Sequence, residues 1–186
     1  MSPRTYTLDL EGKTLQIEFN TLAEQANGSV LVQMGGTLVL VCAVMSEKEK
    51  EGIDFFPLFV EYEEKYYAAG KIGGGRFMKR EGRPSDEAIL NARLIDRAIR
   101  PLFSDELRRE IQVVATVLSW DTENDADTLA MLGASLALAT SNIPWNGPIG
   151  AVRLAFNNQE NKWVVSPSYQ ERETALGEIV FSGCQH

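Results

Sequence analysis

Seven consecutive apolar residues, Leu38-Val39-Leu40-Val41-Cys42-Ala43-Val44, put apolar side chains on both faces of an extended strand. Alternate residues of a strand point to opposite faces, so such a run belongs inside a sheet that is covered on both sides. It is far shorter than the ~18 apolar residues that a membrane span requires. The chain is therefore expected to build a sheet around this segment, and the flanking sequence must supply its neighbours.

Those neighbours are legible. Thr5 to Leu10 and Thr14 to Phe19 alternate polar and apolar residues around a Glu11-Gly12 turn, and Ser29 to Met34 pairs with Thr37 to Met45 around Gly35-Gly36. Ser46 to Gly52 reads as a charged connection. Phe55 to Glu63 reads as a strand whose Pro57 points to an edge or a bulge. Ala68 to Gly75 is a glycine-rich loop. A helix is predicted over Asp86 to Arg100, with Ser85 as N-cap and Pro101 as its stop. Glu110 to Ser119 is a further strand. Asp127 to Ser141 is an apolar helix in which Gly133 and Ala134 permit close approach of a neighbour. After a turn at Pro144 to Pro148, Ile149 to Phe156 and Lys162 to Val165 form a hairpin, and Gly177 to Ser182 opens one more strand. The fold class is α+β, a mixed sheet packed with helices.

Composition excludes several chemistries. The 186 residues are 44% hydrophobic and 24% charged, as in a soluble globular protein. The only histidine is the terminal His186, which excludes a Ser-His-Asp triad, a Cys-His dyad and a two-His metal site within this sequence. Two cysteines make no disulfide framework, and Cys42 reads as a buried thiol. Met1 to Glu11 carries no apolar signal segment, so the expected location is cytoplasmic.

The net charge of −8 hides a basic window. Lys65 to Arg109 holds eleven of the 18 basic residues against six acids, a local +5, while seven basic and twenty acidic residues elsewhere give −13. A basic segment on an acidic protein points to a polyanion, or else is a solvated helix surface. Within the predicted helix, Arg93, Arg97 and Arg100 fall on one face, with Ala88, Ala92, Leu94, Ile95, Ala98 and Ile99 on the other. Like charges at i, i+4 and i+7 repel, so folding alone gives no reason for the stripe. Guanidinium forks match phosphate oxygens. The alternative is that Asp96 and acids from elsewhere neutralise the stripe. The preceding loop adds Arg76, Phe77, Lys79, Arg80 and Arg83, a mixture of cations and an aromatic ring suited to single-stranded nucleic acid, although Phe77 equally suits a core plug. This loop matches neither common phosphate-binding glycine motif. Asp121, Glu123, Asp125 and Asp127 read as capping residues before the next helix, and Glu61, Glu63 and Glu64 as the polar face of a strand.

These segments also resemble a known family. Phe55-Phe56-Pro57-Leu58, Tyr67-Ala68-Ala69-Gly70-Lys71-Ile72, Lys79-Arg80-Glu81-Gly82-Arg83-Pro84-Ser85, Ala92-Arg93-Leu94-Ile95-Asp96-Arg97 and Ile143-Pro144-Trp145-Asn146-Gly147-Pro148 are similar, in this order, to bacterial-type polynucleotide phosphorylase. The resemblance runs from about Tyr6 to Gly183 and is to the first of that family's two RNase PH-like core domains (a ribosomal protein S5 domain 2-like fold). It implies a main portion over about 6–145 and the start of a C-terminal subdomain over about 146–186. It further implies a 3′–5′ phosphorolytic exoribonuclease that degrades mRNA to nucleoside diphosphates. Inorganic phosphate is its co-substrate, and Mg2+ binds outside this chain. Single-stranded RNA is the partner, with a homotrimer, further RNA degradation partners, and no membrane or DNA. The residues matching the family's pore loop that grips RNA are Lys79, Arg80 and Arg83, and those matching the site region shared by its two cores are Arg93, Arg97 and Arg100; with Arg76 and Phe77 of the same basic window they are the expected RNA-binding residues.

The same resemblance implies no catalytic or metal-binding residue here, because the phosphate loop and acid pair belong to the second core. Glu178 alone stands near the place of an acid pair. Gly73-Gly74-Gly75-Arg76 and Ala98 depart from the family's usual residues, as does the closing Gly183-Cys184-Gln185-His186, which implies a piece of a longer chain. Two rival readings are a non-catalytic RNA-binding ring subunit of an exosome-like assembly and a folded remnant without activity.

Overall fold

A computed structural model describes residues 4–73 and 82–184. Two hairpins open the chain: β1 (Arg4–Leu10) with β2 (Lys13–Phe19), and β3 (Gly28–Met34) with β4 (Thr37–Glu49). Glu11 and Gly12 both take positive φ, 52° and 87°, which is the backbone a tight two-residue hairpin needs. β4 runs past the predicted end at Met45, because Ser46 to Glu49 continue extended beside the next sheet partner; Glu49 pairs with Arg109. β5 (Leu58–Glu64) and β6 (Arg109–Ser119) are parallel, joined by α1 (Asp86–Ile99). α2 (Ala126–Ala139) follows, then β7 (Gly150–Asn157), β8 (Lys162–Val165), a short α3 (Tyr169–Glu173) and β9 (Glu178–Gly183).

The large sheet has the order β1-β2-β3-β4-β6-β5, antiparallel except for β5 on β6; β8-β7-β9 form a second, antiparallel sheet. Val39, Val41 and Ala43 of β4 and Ile111, Val113, Ala115 and Val117 of β6 are at most 3% exposed and make the core beneath the helices. The other face of the central run differs from expectation. Leu38, Leu40 and Cys42 are only half-buried and Val44 is exposed, because α1 and α2 lie on the same side of the sheet. Cys42 is therefore not a core thiol, though its partial burial pushes its pKa up.

Gly133 shows why α2 needs a small residue: an added Cβ would lie 2.5 Å from Val41 Cγ2. The Ser135 hydroxyl donates to the Ile149 carbonyl at 2.8 Å and accepts from the Ile149 amide at 2.9 Å, which fastens α2 to the start of the second sheet. Helical structure also exceeds the prediction: a 3-10 turn spans Tyr66–Ala69, another spans Arg100–Leu102, and α3 carries a capping box between Ser168 and Glu171.

Candidate nucleic-acid interface

α1 starts where its sequence directs. The Ser85 hydroxyl accepts from the Ala88 amide at 3.0 Å, Asp86 and Glu87 occupy the positive end, and Ala88, Ile95 and Ile99 are buried. The opposite face presents Arg93 and Arg97, both exposed. Among the described residues neither has an acid within ion-pair distance. Arg93 also lines a groove of about 300 Å3 between α1 and the edge strand β5, together with Phe59, Val60, Tyr62 and Ile89. Arg83, just before the N-cap, is exposed.

Arg100 does not continue this stripe. Its Nε and Nη2 contact the Asp96 carboxylate at 2.9 and 2.6 Å, and it donates to the carbonyls of Phe56 and Leu58 at 3.5 and 3.2 Å. The guanidinium also lies 5.8 Å from the Phe56 ring centre. Arg100 thus ties the end of α1 to the start of β5, and the free cationic surface is narrowed to Arg93 and Arg97 with Arg83 beyond the helix start. Arg76, Phe77, Lys79 and Arg80 lie outside the described residues.

The acidic cluster divides into two structural roles. Asp121 accepts from the amides of Gly36, Glu123 and Asn124, from the Asn124 side chain and from the Thr37 hydroxyl, all at 2.7–2.9 Å. Burial opposes its charge, yet these donors hold its carboxyl well below the usual range. Asp125 occupies the N-cap position of α2 without a side-chain capping bond. It pairs instead with Arg153 of β7 at 2.7 Å and with Arg172 of α3 at 2.7 Å. Asp127 is 7% exposed and bonds Arg153; burial raises its pKa, the Asp125 charge raises it further, and Arg153 opposes both. Glu178 bonds Arg172 at 2.6 Å and lies 3.2 Å from Arg153, and the Arg172 bond lowers its pKa. The capping reading is therefore corrected for Asp125: a long-range arginine takes the carboxylate that a local amide was expected to hold.

No local sequence signal marks Arg153 and Arg172 as structural ions. The spacing of Asp125 and Asp127, two apart at a helix start, signals a carboxylate pair, but their cationic partners lie far along the chain. This network also decides a metal question. Among the described residues, Asp125, Asp127 and Glu178 gather around Arg153, and each is already held by an arginine. A divalent cation there would face two guanidinium charges, so the set does not fit Mg2+.

Known proteins now place the chain. A model of the 3′ exoribonuclease family, domain 1 (RNase PH), matches residues 11–144. The chain belongs to this family. A polyribonucleotide nucleotidyltransferase of Caldicellulosiruptor bescii is 50% identical over 183 residues, which are 98% of this chain and 26% of that protein. The enzymes of the same name from Streptococcus equi subsp. zooepidemicus and Hyphomonas neptunium are 51% and 48% identical, covering 98% and 97% of this chain and 25% of each relative. This RNase PH domain thus spans about a quarter of the length of these relatives. A chain of the Archaeoglobus fulgidus exosome, solved with RNA bound to the active site, superposes with a TM-score of 0.67 at 21% identity. That match covers 90% of this chain and 71% of the other, and it establishes the fold.

Proposed function

We propose that this chain is the first core domain of a phosphorolytic 3′–5′ exoribonuclease and supplies RNA contact rather than chemistry. The observation that carries the reading is the pair Arg93 and Arg97, exposed one helical turn apart with no acid paired to either among the described residues. Two such guanidinium groups can meet successive phosphates of a strand. Arg83 extends the same positive surface, and Arg76, Phe77, Lys79 and Arg80 precede it in sequence. In phosphorolysis, a phosphate oxygen attacks the terminal phosphodiester, the last nucleotide leaves as a diphosphate, and the shortened strand keeps a 3′ hydroxyl. Asp125, Asp127 and Glu178 are held in arginine pairs, and the acid chemistry, Mg2+ and the phosphate co-substrate are assigned to the further length that the relatives possess. The reading includes a homotrimeric ring, partners in RNA degradation and a cytoplasmic location.

Incubation of the chain with poly(A), inorganic phosphate and Mg2+ tests this division of labour. No ADP above a heat-killed control is expected. Clear ADP production would place catalysis within these residues.

A further inference from the structure

A cleft of about 910 Å3 opens at the C-terminal end of β5, between the 3-10 turn after it, the start of α1 and Tyr169 of α3. We propose that this cleft binds a nucleotide, with the base against Tyr66, Trp120 and Tyr169, the phosphate on Lys71 and Arg83, and an exocyclic amine of the base on Glu64. The site goes beyond the strand contact proposed above and shares only Arg83 with it.

The volume lies in the range of ligand cavities, roughly 300–1,000 Å3. Its aromatic wall is held in place from behind. Trp120 and Tyr169 meet edge to face at 5.8 Å, and Arg172 lies 5.1 Å from the Tyr169 ring centre. The Trp120 amide donates to the Ala68 carbonyl at 3.0 Å, tying the strand end to the 3-10 turn that carries Tyr66. The Tyr66 ring packs on Gly73, where a Cβ would meet it at 2.4 Å. Rings already fixed lose little freedom when a flat ligand stacks on them.

Polar side chains line the same cleft. Lys71 and Arg83 are exposed cations at the cleft, and among the described residues neither has an acid within ion-pair distance. The helix start does not compete for the anion: Ser85 already caps Ala88, and Asp86 and Glu87 fill the first turn. Glu64, bonded by the Ser85 hydroxyl at 3.3 Å, brings an acceptor to the cleft. Burial raises its pKa, while the Ser85 hydroxyl opposes the rise. A flat base that carries an amine donor and a phosphate engages the rings, the carboxylate and the cations together; an inorganic polyanion leaves the rings unused.

Titration calorimetry on the chain carrying Arg93→Gln and Arg97→Gln tests the site apart from the helix stripe. ADP, GDP, CDP and UDP are compared with adenosine and inorganic phosphate. ADP is expected to bind at least tenfold more tightly than adenosine or phosphate, with UDP, which has no exocyclic amine, the weakest diphosphate. Tyr66→Ala and Arg83→Gln should each weaken ADP at least fivefold, Tyr66→Phe should retain it, and Glu64→Gln should erase the preference over UDP. If oligo(A) displaces ADP, the nucleotide is supplied by a strand; if it does not, a free nucleotide is the ligand. Saturation by phosphate as tight as by ADP, or ADP binding indifferent to Tyr66→Ala and Arg83→Gln in chains whose circular dichroism is unchanged, would overturn the proposal.

Discussion

Arg100 grips Asp96 at two points across one turn of α1, with Nη2 2.6 Å from Oδ1 and Nε 2.9 Å from Oδ2. The same guanidinium reaches two carbonyls at the beginning of β5. It therefore contributes to holding the helix on the sheet edge and has little left to give a phosphate. Arg100→Gln is expected to lower stability by roughly 1 kcal/mol, since part of this contact is solvent-screened. Urea midpoints measure that loss, and the salt dependence of RNA binding should not change.

Arg153 is expected to matter more. It is 9% exposed and faces Asp125, Asp127 and Glu178 at the junction of the two sheets. Arg153→Met leaves the buried Asp127 carboxylate without its arginine and beside Asp125, a change that typically costs about 3–5 kcal/mol. Adding Asp127→Asn should restore part of the loss, because Asp127 is the carboxylate whose charged form burial most disfavours. Denaturant unfolding of the single and double variants measures both effects; a double variant no more stable than the single one would contradict the assignment.

Gly133→Ala sets two effects against each other. Alanine favours a helix interior by about 1 kcal/mol over glycine. Here the new methyl would press on Val41 Cγ2 at 2.5 Å and on Val32 Cγ2 at 3.2 Å, both in the closed core. Overpacking of this kind costs about 1–3 kcal/mol, so net destabilisation is expected. A raised thermal midpoint would show that α2 can move away from β3 and β4.

Asp121 makes stability depend on pH. Its folded carboxyl is held below the unfolded value of 3.8, so its donors stabilise the fold above that pH. The contribution is lost as pH falls from there through the folded value. Wild type should lose stability more steeply than Asp121→Asn below about pH 4. At neutral pH the variant should be the less stable of the two. Equal pH slopes would mean that the five donors do not favour the charged form.

Local pattern was readable wherever neighbours in sequence decide structure. Alternation located the strands, Glu11-Gly12 and Gly35-Gly36 the turns, Ser85 the helix start, and Gly133 the close approach. The helical wheel placed Arg93, Arg97 and Arg100 together, but a wheel gives direction and not occupancy. Asp96, four residues before Arg100, was the available signal that this arginine has a local partner. No comparable signal joined Arg153 to Asp125 and Asp127, since those contacts depend on where the second sheet docks. The half-buried outer face of β4 was equally hidden. Leu38, Leu40 and Cys42 look like core residues in sequence, and only the placement of both helices on one side reveals them.

The central claim is that Arg93 and Arg97 contact the phosphates of single-stranded RNA. Each lost phosphate contact lowers the log–log salt slope by roughly 0.7 for a single strand. RNA affinity should therefore be measured against salt concentration for the wild type and for Arg93→Gln/Arg97→Gln, both verified as folded by circular dichroism. The account predicts a slope flatter by about 1.4 with weaker binding of all sequences alike, and no further flattening when Arg100→Gln is added. An unchanged slope and affinity in the double variant would contradict it, and the face of α1 would then be an ordinary solvated surface.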